Sequence, residues 1–208
     1  MRAAATHLKT VCPRFRVLIG RIGPCTMEQE KHEPYQALVR AIAYQQLHGN
    51  AARAILGRFV ALHPDVPFPT PAHVLATSDE AMRACGFSAN KTASIRDIAA
   101  HAANGVVPTR RAAARLSDAE LIERLTVIRG VGRWTVEMLL MFTLDRKDIL
   151  PVDDFGVREG YRILHELEAQ PKPKELAKLG EVWAPWRSVA AWYLWRAADE
   201  GKPVKQPG

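Results

Sequence analysis

A glycine-bracketed turn, Arg129-Gly130-Val131-Gly132-Arg133, lies between two stretches of helical apolar spacing within the run 125–161. It forces two helices into a tight corner and so constrains the fold more than any other stretch of the chain. Two glycines around one valine imply positive φ or a close approach of the backbone to a partner. The turn leads directly into a helix beginning near Trp134, whose first amides have no intrahelical acceptor. Such amides, with the helix dipole behind them, suit an anion, and Arg129 and Arg133 add positive charge at the same place. Taken alone, the same five residues also read as an ordinary helix–turn–helix corner.

The remaining sequence is helical in pattern as well. Pro34 opens a helix in which Tyr35, Leu38, Val39 and Ile42 recur on one face. The polar stretch Tyr44-Gln45-Gln46-Leu47-His48-Gly49-Asn50 interrupts the apolar pattern before a second helix over 51–62. Four prolines between 64 and 71 mark a connection that ends in Thr70-Pro71, a cap and first-turn signal. One helix closed by Gly86 and another running from near Ser88 to Gly105 follow. Ser117 and Glu120 have capping-box spacing, which predicts a helix from Asp118 to about Val127. Helices over 134–144 and 155–167, then two more split by Pro185, complete the reading. Period-2 strands are missing, so the predicted class is all-α. Residues 1–32 read as a short helix and a loop packed against the body, and 198–208 as a charged tail.

Composition narrows the function classes. With 208 residues and 48% apolar side chains, the chain can bury a core without staples. It contains no run of 18 apolar residues and no secretory pattern near Met1, which predicts no membrane association and an intracellular place, the cytoplasm or the nucleoid if the source is bacterial. Cys12, Cys25 and Cys85 have spacings that suit neither a disulfide framework nor a metal or iron–sulfur site, so they read as reduced thiols and no metal is expected. A formal charge of +7, from 29 Lys and Arg against 22 Asp and Glu, favours a polyanion such as nucleic acid.

From about residue 33 to 197 the chain resembles the helix-hairpin-helix DNA glycosylase superfamily, in particular its 3-methyladenine DNA glycosylase II branch. Four segments carry the resemblance, in the family's order. They are Cys85-Gly86-Phe87-Ser88-Ala89-Asn90-Lys91, the hairpin from Ile128 to Thr135, Pro151-Val152-Asp153-Asp154, and Trp183-Ala184-Pro185-Trp186-Arg187-Ser188. The resemblance implies two helical lobes flanking a DNA-binding cleft, one over about 33–115 and one over about 116–197 completed by the N-terminal residues. It implies a monomer acting on double-stranded DNA that contains alkylated bases, without an organic cofactor. It also admits a monovalent cation at the hairpin carbonyls.

The resemblance places the family's catalytic aspartate on Asp154. Breaking an N-glycosidic bond builds positive charge on the sugar, and a fixed carboxylate stabilises that charge and orients water. At the start of the 155–167 helix the dipole should favour the ionised form. Asp154 as a helix cap is the plain alternative, and the two roles are compatible. Superfamily members that also cut the strand carry a lysine where this chain has Trp134, so the Schiff-base route is closed at that position and hydrolysis by water is predicted. Lys91 is expected to contact phosphate or solvent. Trp134 and Trp195 match pocket-lining positions, with Tyr44 and Gln45 nearby, and aromatic faces suit a cationic alkylated base. Met138 stands where a relative carries an aromatic residue and can pack softly against a base. Trp183, Trp186 and Trp192 read as core. The flipped base leaves a gap in the duplex, to be filled by Gln46 or Leu47 from the loop at 44–48. Arg129, Gly130, Val131, Gly132, Arg133 and Thr135 are the hairpin's candidate DNA contacts. Two other readings remain at this point: a glycosylase for uracil, mismatched thymine or oxidised purine, and a non-catalytic module that binds DNA structure.

Overall fold

The computed structural model describes residues 1–201 and is helical throughout, with no strand among the described residues. In chain order the helices are α1 (Arg2–Val11), α2 (Pro13–Ile22), α3 (Pro34–Tyr44), α4 (Gly49–Ala61), α5 (Pro71–Ala76), α6 (Asp79–Ala84) and α7 (Ala89–Ala103). They continue as α8 (Arg110–Ala113), α9 (Asp118–Leu125), α10 (Arg133–Met138), α11 (Phe155–His165), α12 (Pro173–Leu179) and α13 (Arg187–Glu200). A π-helical turn, Leu139–Thr143, extends α10, and a 3-10 turn, Gly180–Trp183, follows α12.

Local chemistry explains most of these boundaries. Proline opens α2, α3, α5 and α12, where its missing N–H costs nothing. Thr70, Ser78, Ser88, Thr109 and Ser117 each accept the backbone N–H three residues on, and Ser117 with Glu120 forms the expected capping box. The stretch expected to be one helix closed by Gly86 is two, α5 and α6, because Ser78 starts a new helix after extended Thr77. Residues 1–32 hold two helices instead of one, since Pro13 begins α2 at once after α1 ends at Cys12.

The described residues divide into two compact units, 1–29 with 145–201 and 30–144. The division falls after the π-turn and not near residue 115, because α9 and α10 pack with each other and the π-turn packs on α3. The first unit buries Leu8, Phe15, Leu18, Val157, Trp183 and Tyr193, with the Phe15 and Trp183 rings edge to face at 5.4 Å. Its α11 and α13 meet where Gly160 lies against the Leu194 backbone. The second unit buries Leu38, Ile42, Phe59, Ile95, Ile98 and Leu121 around an edge-to-face pair of Phe59 and Phe87. Of the three tryptophans expected in the core, Trp183 and Trp192 are buried, whereas Trp186 is half-buried because it caps α13 at the surface. Residues 198–200 belong to α13, and the tail expected beyond Gly201 lies outside the described residues. No described helix is long and apolar enough to cross a membrane.

Candidate active site

Asp154 caps α11. Its Oδ1 accepts the Val157 N–H at 2.8 Å, and the Trp195 indole N–H donates to the same oxygen at 2.8 Å. The capping reading is therefore correct, and the tryptophan adds a second anchor from α13. Two N–H donors from different helices meet on one oxygen and fix the orientation of the carboxylate. Gly156 keeps this corner tight, since a Cβ there would lie 2.9 Å from the Trp195 ring and 3.2 Å from Asp154 Oδ1. Asp153 is exposed, and so is Phe155, at 68%. An aromatic ring left in solvent beside the capping aspartate is a feature that sequence reasoning passed over, although Asp-Asp-Phe carried its signal.

The Trp183–Ser188 segment sets the loop that delivers Asp154. Arg187 makes a bidentate pair with Asp148, at 2.7 and 2.8 Å, and Ser188 Oγ donates to the Arg146 carbonyl at 2.7 Å while accepting the Ile149 N–H at 2.9 Å. Burial would raise the Asp148 pKa, but the hydrogen bonds and charge of Arg187 outweigh it and hold the carboxyl below its ordinary value. A motif legible only as a signature thus has a mechanical use.

In the second unit the hairpin is fastened from two sides. The Arg129 N–H donates to Asp97 Oδ2 at 2.7 Å, and Gln45 Nε2 donates to the Gly130 carbonyl at 3.2 Å. Gly130 has φ +78°, and a Cβ there would lie 2.6 Å from Ser94 Oγ, so this glycine is required by the chain itself. Gly132 has φ −88° and would have open space around a Cβ. The expected positive φ thus holds at the first glycine only. At the second, the turn leaves room on its outer side. The Val131 side chain is buried, which leaves only its backbone for an outside contact. Thr135 is buried too and lines a cavity, so its side chain does not face an incoming duplex as expected. Arg129 is exposed, with its guanidinium 3.3 Å from Asn90 Oδ1. Arg133 pairs with buried Glu137 at 2.9 Å, one turn along α10, so part of its charge neutralises an internal carboxylate.

Lys91 does not point to phosphate or solvent. Its Nζ donates to the Ala43 carbonyl at 2.8 Å and the Gln45 carbonyl at 2.7 Å, closing the C-terminus of α3. Burial there lowers its pKa. The Gly86–Lys91 stretch is thus a brace: Phe87 packs on Phe59, Ser88 caps α7, and Lys91 holds the loop at 44–48. Beyond the brace the loop projects, with Gln46 in the left-handed region at φ +57° and Leu47 40% exposed. A non-glycine residue held there costs of order 1 kcal/mol.

Tyr44, Thr135 and Met138 meet around one cavity of about 300 Å³, together with Phe142, Arg40 and Glu30. Its floor is the π-turn, a distortion common at working sites. Trp134 does not line this cavity and is 44% exposed. Among the described residues no group of His, Cys, Asp and Glu could hold a metal ion. Of the hairpin carbonyls, that of Gly130 accepts the Gln45 amide and that of Ile128 the Val131 N–H. Each keeps a second lone pair, so carbonyl donors remain for a monovalent cation.

Removing the α13 anchor alone should be measurable. Trp195→Phe keeps an aromatic six-membered ring but removes the pyrrole N–H and its hydrogen bond to the carboxylate, and for the activity that the sequence resemblance implies the expected result is about tenfold slower base release, the scale of one hydrogen bond to a charged group. Affinity for abasic-site DNA should stay unchanged. An equal rate in the variant would show that the Trp195 bond is not needed to fix Asp154.

An all-helical chain with a glycine hairpin between helices and an aspartate capping a later helix defines the helix-hairpin-helix class. Residues 39–185 match the HhH-GPD superfamily of base excision DNA repair proteins, and the chain belongs to that family. It is similar to DNA-3-methyladenine glycosylase 1 of Schizosaccharomyces pombe, 50% identical over 195 residues that cover 92% of this chain and 85% of the relative. A solved 3-methyladenine DNA glycosylase of that yeast in complex with abasic DNA superposes with a TM-score of 0.83 at 47% identity, over 93% of this chain and 95% of the other. A DNA-3-methyladenine glycosidase from Bacillus halodurans has a TM-score of 0.82 at 35% identity, over 92% and 88%.

Proposed function

We propose that this protein is a monofunctional DNA N-glycosylase. It hydrolyses the N-glycosidic bond of alkylated purines, chiefly 3-methyladenine and 7-methylguanine, and leaves an abasic site in double-stranded DNA. The observation that carries this reading is the Asp154 carboxylate, held by Val157 N–H and Trp195 N–H through one oxygen. A module that only recognises DNA structure needs a helix cap at this position but no second anchor from α13 on the same oxygen. An enzyme that develops a cationic sugar has a use for both, and preorganised charge of this sort is worth a few kcal/mol in a transition state.

The hairpin amides and Arg129 grip phosphate, and Gln46 or Leu47 enters the gap left by the extruded nucleotide. Asp154 then stabilises the sugar as the bond to the base breaks and directs water to the anomeric carbon. Alkylation leaves the base positively charged, so it departs as a neutral purine and needs little acid assistance. The hairpin offers no amine for a covalent intermediate, since position 134 is tryptophan and the Lys91 ammonium is committed to two carbonyls. The protein works as a monomer.

A duplex carrying 7-methylguanine tests the mechanism. Incubation should leave the strand intact until hot alkali is added, and borohydride during turnover should trap no protein–DNA adduct. A trapped adduct, or direct strand cleavage, would overturn the hydrolytic assignment.

A further inference from the structure

The cavity of the second unit contains a charge that the proposed function has not used. Glu30 lines it, opposite in character to the soft and aromatic surfaces of Tyr44, Met138 and Phe142. The Glu30 backbone is fixed on both sides. Its N–H donates to the Phe142 carbonyl of the π-turn at 2.7 Å, and its carbonyl accepts from Arg110 Nη2 at 2.9 Å, while Arg110 also reaches the Thr143 and His32 carbonyls. One guanidinium therefore ties the segment carrying Glu30 to the cavity floor. The carboxylate itself makes no hydrogen bond or ion pair among the described residues, although Arg40 lines the same cavity. A positioned segment bearing an unengaged carboxylate beside aromatic and thioether surfaces is suited to a flat cation with N–H donors. At about 300 Å³ the cavity stands at the small end of ligand sites, which span roughly 300–1,000 Å³.

We infer that Glu30 is a specificity-determining residue, whose carboxylate accepts from the exocyclic amine of an extrahelical alkylated purine and balances the positive charge on its ring. Carboxylates read exocyclic amines in the same way on base edges. Arg40 supplies the complementary donor for a ring nitrogen or 6-oxo group on the same base. The inference rests on the proposed function and adds the group that selects the substrate: cationic purines with an amine are preferred over neutral bases without one.

Glu30→Gln keeps the shape and removes the charge, and Glu28→Gln makes the same charge change two residues earlier at a position that is exposed, as Glu30 is, but does not line the cavity. Single-turnover release of 3-methyladenine should fall about 10- to 100-fold in the first variant, the scale of one charge-assisted hydrogen bond, and not in the second. The preference for 3-methyladenine over hypoxanthine, which is neutral and lacks the amine, should narrow by the same factor. Binding to a duplex with a tetrahydrofuran abasic analogue, which puts no base in the cavity, should be equal in all three proteins. Release by Glu30→Gln within about twofold of wild type would overturn the inference and leave the proposed function standing, because a lost charge-assisted bond exceeds that change. A parallel loss of abasic-duplex binding would also overturn it, by showing a structural role. If the wild type releases no base, the proposed function falls and the inference with it.

Discussion

Asp154→Asn should bind abasic-site DNA as tightly as the wild type and release alkylated purines at least about a hundredfold more slowly, the scale on which one preorganised electrostatic group contributes to catalysis. Asparagine is the informative replacement because it is as good a helix cap as aspartate. It retains an oxygen for the Val157 and Trp195 N–H groups, so α11 and its contact with α13 persist. Only the negative charge is removed. Thermal stability should stay close to wild type, which separates this variant from one that fails by unfolding. Full activity in Asp154→Asn would place the catalytic charge elsewhere and remove the observation on which the proposed function depends.

Gly160→Ala should be the most destabilising single-methyl change in the chain. A Cβ at Gly160 would lie 1.9 Å from the Leu194 carbonyl oxygen, 2.5 Å from its carbon and 2.9 Å from its Cα. These are backbone atoms of α13, so no rotamer change relieves the overlap and the two helices must separate. Overpacking of this severity costs about 3 kcal/mol, equivalent to a fall of roughly 10 °C in the melting temperature for a chain of this size. Because α11 carries Asp154 and α13 carries Trp195, base release should fall as well. Gly57→Ala provides the contrast. It lies inside α4 with nothing within 4 Å of an added Cβ, so better helix propensity should leave the protein equally or more stable. Calorimetry of both variants decides the matter, and an unchanged melting temperature in Gly160→Ala would contradict the close contact of Gly160 with the Leu194 backbone.

Gly130 and Gly160 show what the sequence could and could not convey. Gly130 was legible, because a glycine pair between helical stretches demands an unusual backbone, and its φ of +78° bears this out. Gly160 was not, because an isolated glycine within a helical pattern has no local sign of the helix that lies against it. Helix starts were readable at Thr70, Ser88 and Ser117, where a hydroxyl caps the first turn, but the proline at Pro13 and the hydroxyl at Ser78 went unread. The break between α5 and α6 and the second N-terminal helix were missed, since their apolar spacing runs on without a clear change of period. For the candidate site, motif order pointed to Asp154, the hairpin and the loop at 44–48, and their long-range partners stayed hidden. Lys91 and Ala43 are 48 residues apart, and the Trp195 bond to Asp154 spans 41. The same holds for Glu30, whose place at a cavity depends on Arg110 and on a π-turn that no residue pattern announces.

Everything proposed for Asp154, the hairpin and the cavity meets in one chemical event, the appearance of free methylated base. Duplex DNA treated with a methylating agent, incubated with the purified protein and separated chromatographically, should yield 3-methyladenine and 7-methylguanine at a rate well above that of DNA alone. Undamaged bases should stay in place. Release no faster than from DNA alone would contradict the account.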